Sequence, residues 1–202
     1  MGKFLVIVES PAKIRTIGKI LGKDYLIAAT MGHVRDLPKN TMGFKVDGNR
    51  VSEINYVVID GKKQTIKELK SKSKNVDLVY LATDPDREGE AIAWHVAEEL
   101  QIDKSSLRRV VFHEITPGAV KDAFGSPREI NKLLVDAQQA RRLVDRIVGF
   151  PLSRYVTNNI TGYTKLSAGR VQSVALQLIV DRETKIEKFK SQQYWQIKTL
   201  LF

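Results

Sequence analysis

Along the first 125 residues, short apolar runs of strand type alternate with segments of helix type, and this alternation constrains the fold more than any other feature. KFLVIV, residues 3–8, reads as a buried strand. SPAKIRTIGKILG follows as a helix, with Ser10 placed to cap, Pro11 at the first helical position and Gly22 near the end. YLIAAT is a second strand, and YVVI, VDLVYLA and RRVVF supply three more. Helices are expected over 62–72 and 87–100, the latter with Ile92, Ala93, Val96 and Leu100 on one face. The stretch from Asp36 to Arg50, carrying Pro38, Gly43 and Gly48, reads as a loop. Such a chain is an α/β protein: a mostly parallel sheet covered by helices, with ligand groups gathered at the carboxyl ends of the strands.

Beyond residue 125 the pattern changes. Residues 129–157 are helical by periodicity, with Leu133, Leu134, Ala137, Leu143, Val144, Ile147 and Val148 apolar, and Pro151 is expected to kink or interrupt the run. NNITGYT is a loop, and a second helix is expected from Ala168 to Lys188 with Val171, Val174, Ala175, Leu178 and Ile179 as its apolar stripe. YWQIKTLLF has strand character. The division that follows is 1–125, 126–190 and the start of a β-rich domain at 191–202; the last strand has no visible partner, which points to a fragment.

Lys and Arg number 33 against 23 Asp and Glu, a surplus of +10 that favours a polyanionic partner, nucleic acid first. The chain has no Cys, which removes disulfides, thiolate metal sites and thiol nucleophiles and suits the cytoplasm. The apolar run FLVIV is too short for a signal peptide, and no stretch approaches membrane-spanning length.

Against that positive balance, LATDPDREGEAIAWH concentrates Asp84, Asp86, Glu88 and Glu90. If the preceding strand ends at Thr83 and Pro85 forces a turn, Asp84, Asp86 and Glu88 converge in one small volume. Such crowding raises pKa values unless a cation neutralises it, and hard oxygen donors suit Mg²⁺ beside a phosphate. A second reading is open: acidic residues are favoured at a helix start, so TDPDRE can be a cap and a dipole-matched first turn. Glu9, at the end of the first strand, reaches the same sheet edge. Lys13 lies in a first helical turn, the wrong end of the dipole for a cation unless a phosphate docks there. His33, after the second strand, joins the same edge. His95 and His113 read as structural, and Trp94 and Trp195 as packing residues. Farther on, Arg141, Arg142, Arg146 and Arg154 share a helical stretch and Arg170 opens the next helix, a pattern able to follow a phosphate backbone. Ser167 can cap that helix, and Gly169 leaves room for close approach.

With these residues assembled, the sequence resembles the type IA DNA topoisomerases, bacterial topoisomerase I in particular. The resemblance runs through LVIVESPAKIRTI, TMGHVRDLP, YLATDPDREGEAIAWHV, VVFHEITPGAV, AQQARRLVDRIVG and LSAGRVQSVAL, in the family's order. It implies a TOPRIM domain with a Rossmann-like sheet over 1–125, in which Glu9, Asp84, Asp86 and Glu88 hold Mg²⁺ and act in catalysis with Lys13. It implies a helical single-strand-binding region over 126–190. His33, Arg141, Arg142, Asp145, Phe150, Ser167, Ala168, Gly169, Arg170, Val171 and Gln172 would contact DNA. Single-stranded and negatively supercoiled DNA would be the substrates of a monomeric, nucleoid-associated enzyme completed by carboxy-terminal domains. Two departures stand out: His113 replaces the family's usual Asn, and NNITGYTK differs from the more basic segment common in bacteria. The family's nucleophile is a Tyr in a motif like TYxRTDS, and none of the chain's six Tyr residues has that context. The chain is therefore expected to carry the metal site and DNA groove without the attacking group, and to be inactive alone in relaxation. A single-stranded-DNA-binding fragment and another TOPRIM nuclease or primase are the alternatives.

Overall fold

The structure, a computed structural model, describes residues 3–160, 162 and 165–201. Its elements in chain order are β1 (Phe4–Val8), α1 (Pro11–Leu21), β2 (Tyr25–Ala29), β3 (Arg35–Asp36), β4 (Lys45–Asp47), β5 (Arg50–Ser52), β6 (Val57–Val58), α2 (Lys63–Ser73), β7 (Leu78–Leu81), α3 (Arg87–Leu100), β8 (Leu107–Arg109), α4 (Pro117–Gly125), α5 (Lys132–Asn159) and α6 (Arg170–Glu187). They group into two compact units that divide after Val144, within α5.

The first unit is built on a parallel four-stranded sheet in the order β2-β1-β7-β8. β1 is central, and Leu5, Val6, Ile7 and Val8 are all fully buried, as a near-continuous apolar run requires when both faces of a parallel sheet are covered. The alternation of side chains divides the core in two. Leu5, Ile7, Val79 and Leu81 pack with Ile66 and Leu69 of α2 and with Ile92, Ala93 and Val96 of α3. Val6, Val8, Tyr80 and Ala82 pack on the opposite face with Ile17 of α1 and Val120 of α4. The α/β fold expected from the sequence is therefore the observed one.

Several local expectations need correction. YVVI does not enter the sheet: β6 pairs antiparallel with β3 in a separate two-stranded ribbon. The stretch 36–50 is not wholly loop, since β4 and β5 form a small antiparallel hairpin there. RRVVF contributes only its start, β8 ending at Arg109. Pro151 does not end its helix; α5 runs through it to Asn159. The loss of one backbone donor is tolerated because 28 residues leave most of the ladder intact. α6 begins at Arg170, and its N-cap position is Gly169 rather than Ser167. Ser10 occupies the N-cap of α1 but its side chain makes no capping bond. YWQIKTLLF forms no strand over its described residues. A strand is stable only when paired, and no described segment pairs with it. No described helix is long and apolar enough to cross a membrane.

His95 has the structural character expected of it. It is 2% exposed, packs beside Tyr56 and Trp94, and its pKa is pushed down to about 3 by burial and by the Arg35 charge. Below pH 6.5 the unfolded chain protonates this imidazole while the folded chain does not, so stability falls as pH drops towards 3, by at most about 1.4 kcal/mol per pH unit. In His95→Phe, denaturant titrations between pH 6.5 and 4 should show a slope smaller by up to one proton.

Candidate functional site

In the first unit the site begins where β1 and β7 end. Glu9 follows β1, and Lys13 stands one helical turn later on α1, so its ammonium folds back to donate to Glu9 Oε1 at 2.7 Å. The same ammonium donates to Asp84 Oδ1, three residues beyond β7. Parallel pairing of β1 with β7 makes this possible: Ile7 lies opposite Leu81, which brings both carboxyl ends to one edge. The two acids separate electrostatically. Burial and a hydrogen bond with Asp84 raise the pKa of Glu9 despite Lys13. The bond with Glu9 and the ammonium of Lys13 hold Asp84 below the ordinary carboxylate range, outweighing its burial. Burial opposes the charge on Lys13, but its bonds to Asp84 and Glu9 raise its pKa. Two adjacent carboxylates resist ionising together, so the proton resides preferentially on Glu9.

Asp86 does what an N-cap does: its side chain accepts from the Gly89 amide at 2.7 Å at the start of α3. Glu88, in the first turn, accepts from Gln138 at 3.2 Å and from Arg141 at 3.2 Å, both on α5, and lies 3.3 Å from His33 Nε2. The adjacent Arg142 makes a fork to Asp36, with Nε to Oδ1 at 2.7 Å. The first part of α5 is thus tied to the sheet edge by two carboxylates, and the Arg141–Arg142 pair is more than a solvated basic face. Among the described residues no three Asp, Glu or His side chains converge as a ready metal-holding group. The donors are nevertheless hard oxygens, and the place between Glu9 and Asp84 already accepts a positive charge, that of Lys13. Both observations fit a Mg²⁺-type cation.

In the second unit, Asp145, Gly149, Ser153 and Thr157 recur every fourth residue on one face of α5, and the segment before α6 lies along them. Thr157 Oγ1 donates to the Leu166 carbonyl and accepts from its amide. Ser153 Oγ does the equivalent with Ala168. A side chain at Gly149 would stand 3.4 Å from the Ala168 carbonyl, and Arg170 pairs with Asp145 at 3.0 Å. Gly169 is extended at the N-cap, with Arg170, Val171 and Gln172 in the first turn of α6. On another stripe of α5 the guanidinium groups of Arg146 and Arg154 lie 5.5 and 5.3 Å from the Phe150 ring.

The sequence matches the Toprim domain over residues 4–115 and the DNA topoisomerase family over residues 129–202. Among solved structures it is similar to full-length topoisomerase I from Thermotoga maritima, at 45% identity and a TM-score of 0.74, over 92% of this chain and 31% of that one. The chain belongs to the type IA DNA topoisomerases. It spans about a third of the length of the Thermotoga enzyme.

In this topoisomerase chain the structure brings Glu9, Lys13 and Asp84 into contact and places His33 and Arg141 around Glu88. Asp86 is turned to capping. His113 is exposed beyond β8. Three residues that hold the site went unrecognised in the sequence. Glu90, counted with the acidic cluster, is fully buried and accepts from Arg109, Arg128 and the Asn131 amide. Arg109, equally buried, also donates to the carbonyls of Leu81, Thr83, Val110 and Asp84. The third is Gly89, where a Cβ would stand 2.2 Å from the Asp84 carbonyl oxygen and 2.8 Å from its amide nitrogen. A glycine flanked by two acids at a helix start was the available signal; nothing local marks Arg109.

Two outcomes follow. Gly89→Ala should destabilise the chain by about 1–3 kcal/mol in urea unfolding, the cost of overpacking against backbone that cannot yield. Arg109→Met should cost about 3–5 kcal/mol because it strands the buried Glu90 carboxylate, and Glu90→Gln made together with Arg109→Met should recover part of that loss.

Proposed function

We propose that this chain forms the metal-binding and strand-binding part of an enzyme that relaxes negatively supercoiled DNA by cutting and rejoining one strand. The observation that carries the reading is the meeting of Glu9, Lys13 and Asp84 at the carboxyl edge of the sheet, two acids of opposite pKa direction sharing one cation. The attacking group is a Tyr supplied by a part of the enzyme other than residues 1–202. Its phenol loses its proton to water as its oxygen attacks the phosphorus of a single-strand phosphodiester, the bond to the 3′ oxygen breaks, and a 5′ phosphotyrosyl bond forms. Glu9, whose proton is favoured by burial, gives that proton to the departing 3′ oxygen. Lys13 turns from Asp84 to the non-bridging phosphoryl oxygens and stabilises their charge. In rejoining, the 3′ hydroxyl returns its proton to Glu9 and attacks the phosphotyrosine, the phosphorus–tyrosine bond breaks and the Tyr oxygen takes a proton back from water, so the bond energy is conserved and no nucleotide is consumed.

Asp84, Asp86 and Glu88, with Glu9 beside them, are the groups that would hold Mg²⁺, which when bound supplies positive charge and a template for the phosphate and the 3′ hydroxyl. Arg141 and Arg142 would exchange their carboxylate partners for phosphates as DNA enters, with His33 at the same edge. Asp145, Phe150 and the backbone and side chains from Ser167 to Gln172 would receive the strand in the second unit, where the first turn of α6 offers amides and Arg170 a guanidinium. The assignments of domains at 1–125 and 126–190, of a monomer and of a place on the nucleoid belong to this same reading.

Mn²⁺ used as a paramagnetic reporter should bind the chain, and Asp84→Asn or Glu88→Gln should weaken that binding at least tenfold without changing the far-ultraviolet spectrum. A labelled single strand should bind with strong salt dependence, and Arg141→Ala or Arg170→Ala should each reduce the slope of log K against log salt by about 0.7. The chain alone should leave supercoiled plasmid unrelaxed; relaxation by residues 1–202 would overturn the assignment of the nucleophile elsewhere.

A further inference from the structure

We propose that α2 is a second nucleic-acid surface, a rail of lysines that grips the sugar–phosphate backbone of DNA running past the acidic site. This rests on the reading above that DNA is the substrate, and adds to it a contact outside the residues already assigned.

The charge is concentrated. Between residues 62 and 74 stand Lys62, Lys63, Lys67, Lys70, Lys72 and Lys74 against Glu68 alone, which is half of the whole chain's surplus of +10. The register is equally specific. Ile66 and Leu69 are buried against α3 and fix which side of the helix faces inward. At 100° per residue, Lys63, Lys67, Lys70 and Lys74 then fall within an arc of about 60°, in a stripe about 16 Å long beside the buried face. Like charges three and four residues apart destabilise a helix, so four in one row carry a cost that a polyanion would remove. Neutralisation from within the protein is slight. Lys70 lies 3.8 Å from Glu99 and Lys63 feels Asp60, whereas Lys67, Lys72 and Lys74 have no acidic partner among the described residues.

The stripe also starts in a meaningful place. Lys62, at the N-cap of α2, donates to the carbonyls of Thr30 at 3.1 Å and Met31 at 2.6 Å. Those carbonyls belong to the loop that leads to His33, beside Glu88. The rail thus begins at the carboxyl edge of the sheet, where the acidic site is, and leads away from it down the side of the first unit. Lysine suits this use, because a flexible point charge follows a phosphate chain without demanding one geometry.

The test compares two triple variants of residues 1–202 by fluorescence anisotropy with a 20-nucleotide single strand and a 20-base-pair duplex across a salt series. One variant is Lys63→Gln with Lys67→Gln and Lys74→Gln; the other removes the same charge at exposed positions elsewhere, Lys19→Gln with Lys23→Gln and Lys121→Gln. The rail variant should lower the magnitude of the salt slope by about 2 on the single strand or about 3 on the duplex, and weaken binding at least tenfold at low salt. The form of DNA showing the full drop is the one the rail holds. The control variant should change either slope by less than about 1. If both triples act alike, or if the rail variant binds as the parent does, the rail is only a solvated face. A parent chain that binds neither form would instead take down the function proposed above, and the rail with it.

Discussion

The site depends on one buried guanidinium. Arg109, at the end of the last strand, collects the carbonyls of Leu81, Thr83 and Asp84 from the neighbouring strand end and its own neighbour Val110, while Glu90 balances its charge. These carbonyls, those of Thr83 and Asp84 beyond the ladder and that of Leu81 still accepting from the Val110 amide, have lone pairs to satisfy, and burial here keeps water away. One planar group with five donors satisfies four of them at once. Burial works against the charge and lowers the Arg109 pKa, and the Glu90 carboxylate opposes that shift. Glu90, although desolvated, is kept ionised by Arg128, the Asn131 amide and Arg109. The turn that carries Asp84 is thereby fixed from below, leaving its side chain to meet Lys13 and Glu9 above.

This separation of roles explains why four acids stand so close together. Glu90 is structural and points into the protein, and Asp86 closes the helix start. Asp84 and Glu88 face outward, each already bonded to cationic or donor groups. The repulsion expected from a row of carboxylates is thus dispersed into distinct local pairings, and only the Glu9–Asp84 contact retains it, visible as opposite pKa directions in two adjacent acids. The reading of the cluster as a cap holds for Asp86, whose side chain accepts from the Gly89 amide.

Much of the first unit was legible because a parallel sheet buried on both faces demands apolar strands, and β1 and β7 satisfy that demand without ambiguity. Glu9 and Asp84 were legible as partners because parallel pairing sends both strand ends to one edge. YVVI misled because apolar content says that a segment is strand-like but not which strand it joins. YWQIKTLLF misled for a related reason, since strand propensity without a partner leaves the backbone unpaired. The strap of residues 166–169 along α5 was hidden because it depends on small polar side chains, Ser153 and Thr157, whose bonds reach backbone rather than a motif.

What the sequence determined by itself is chemistry and order: which residues carry charge, where strands end, and the succession of motifs shared with topoisomerases. Hydrophobic period and turn residues act over a few neighbours, so they can be read along the chain. Only the tertiary structure decided which acid is sacrificed to the core, which caps and which remain outward, because that choice depends on where Arg109, Arg128 and the first turns of α5 arrive from distances of about 20 to 50 residues. Desolvation is a property of the packed interior, and no residue carries it in its own name.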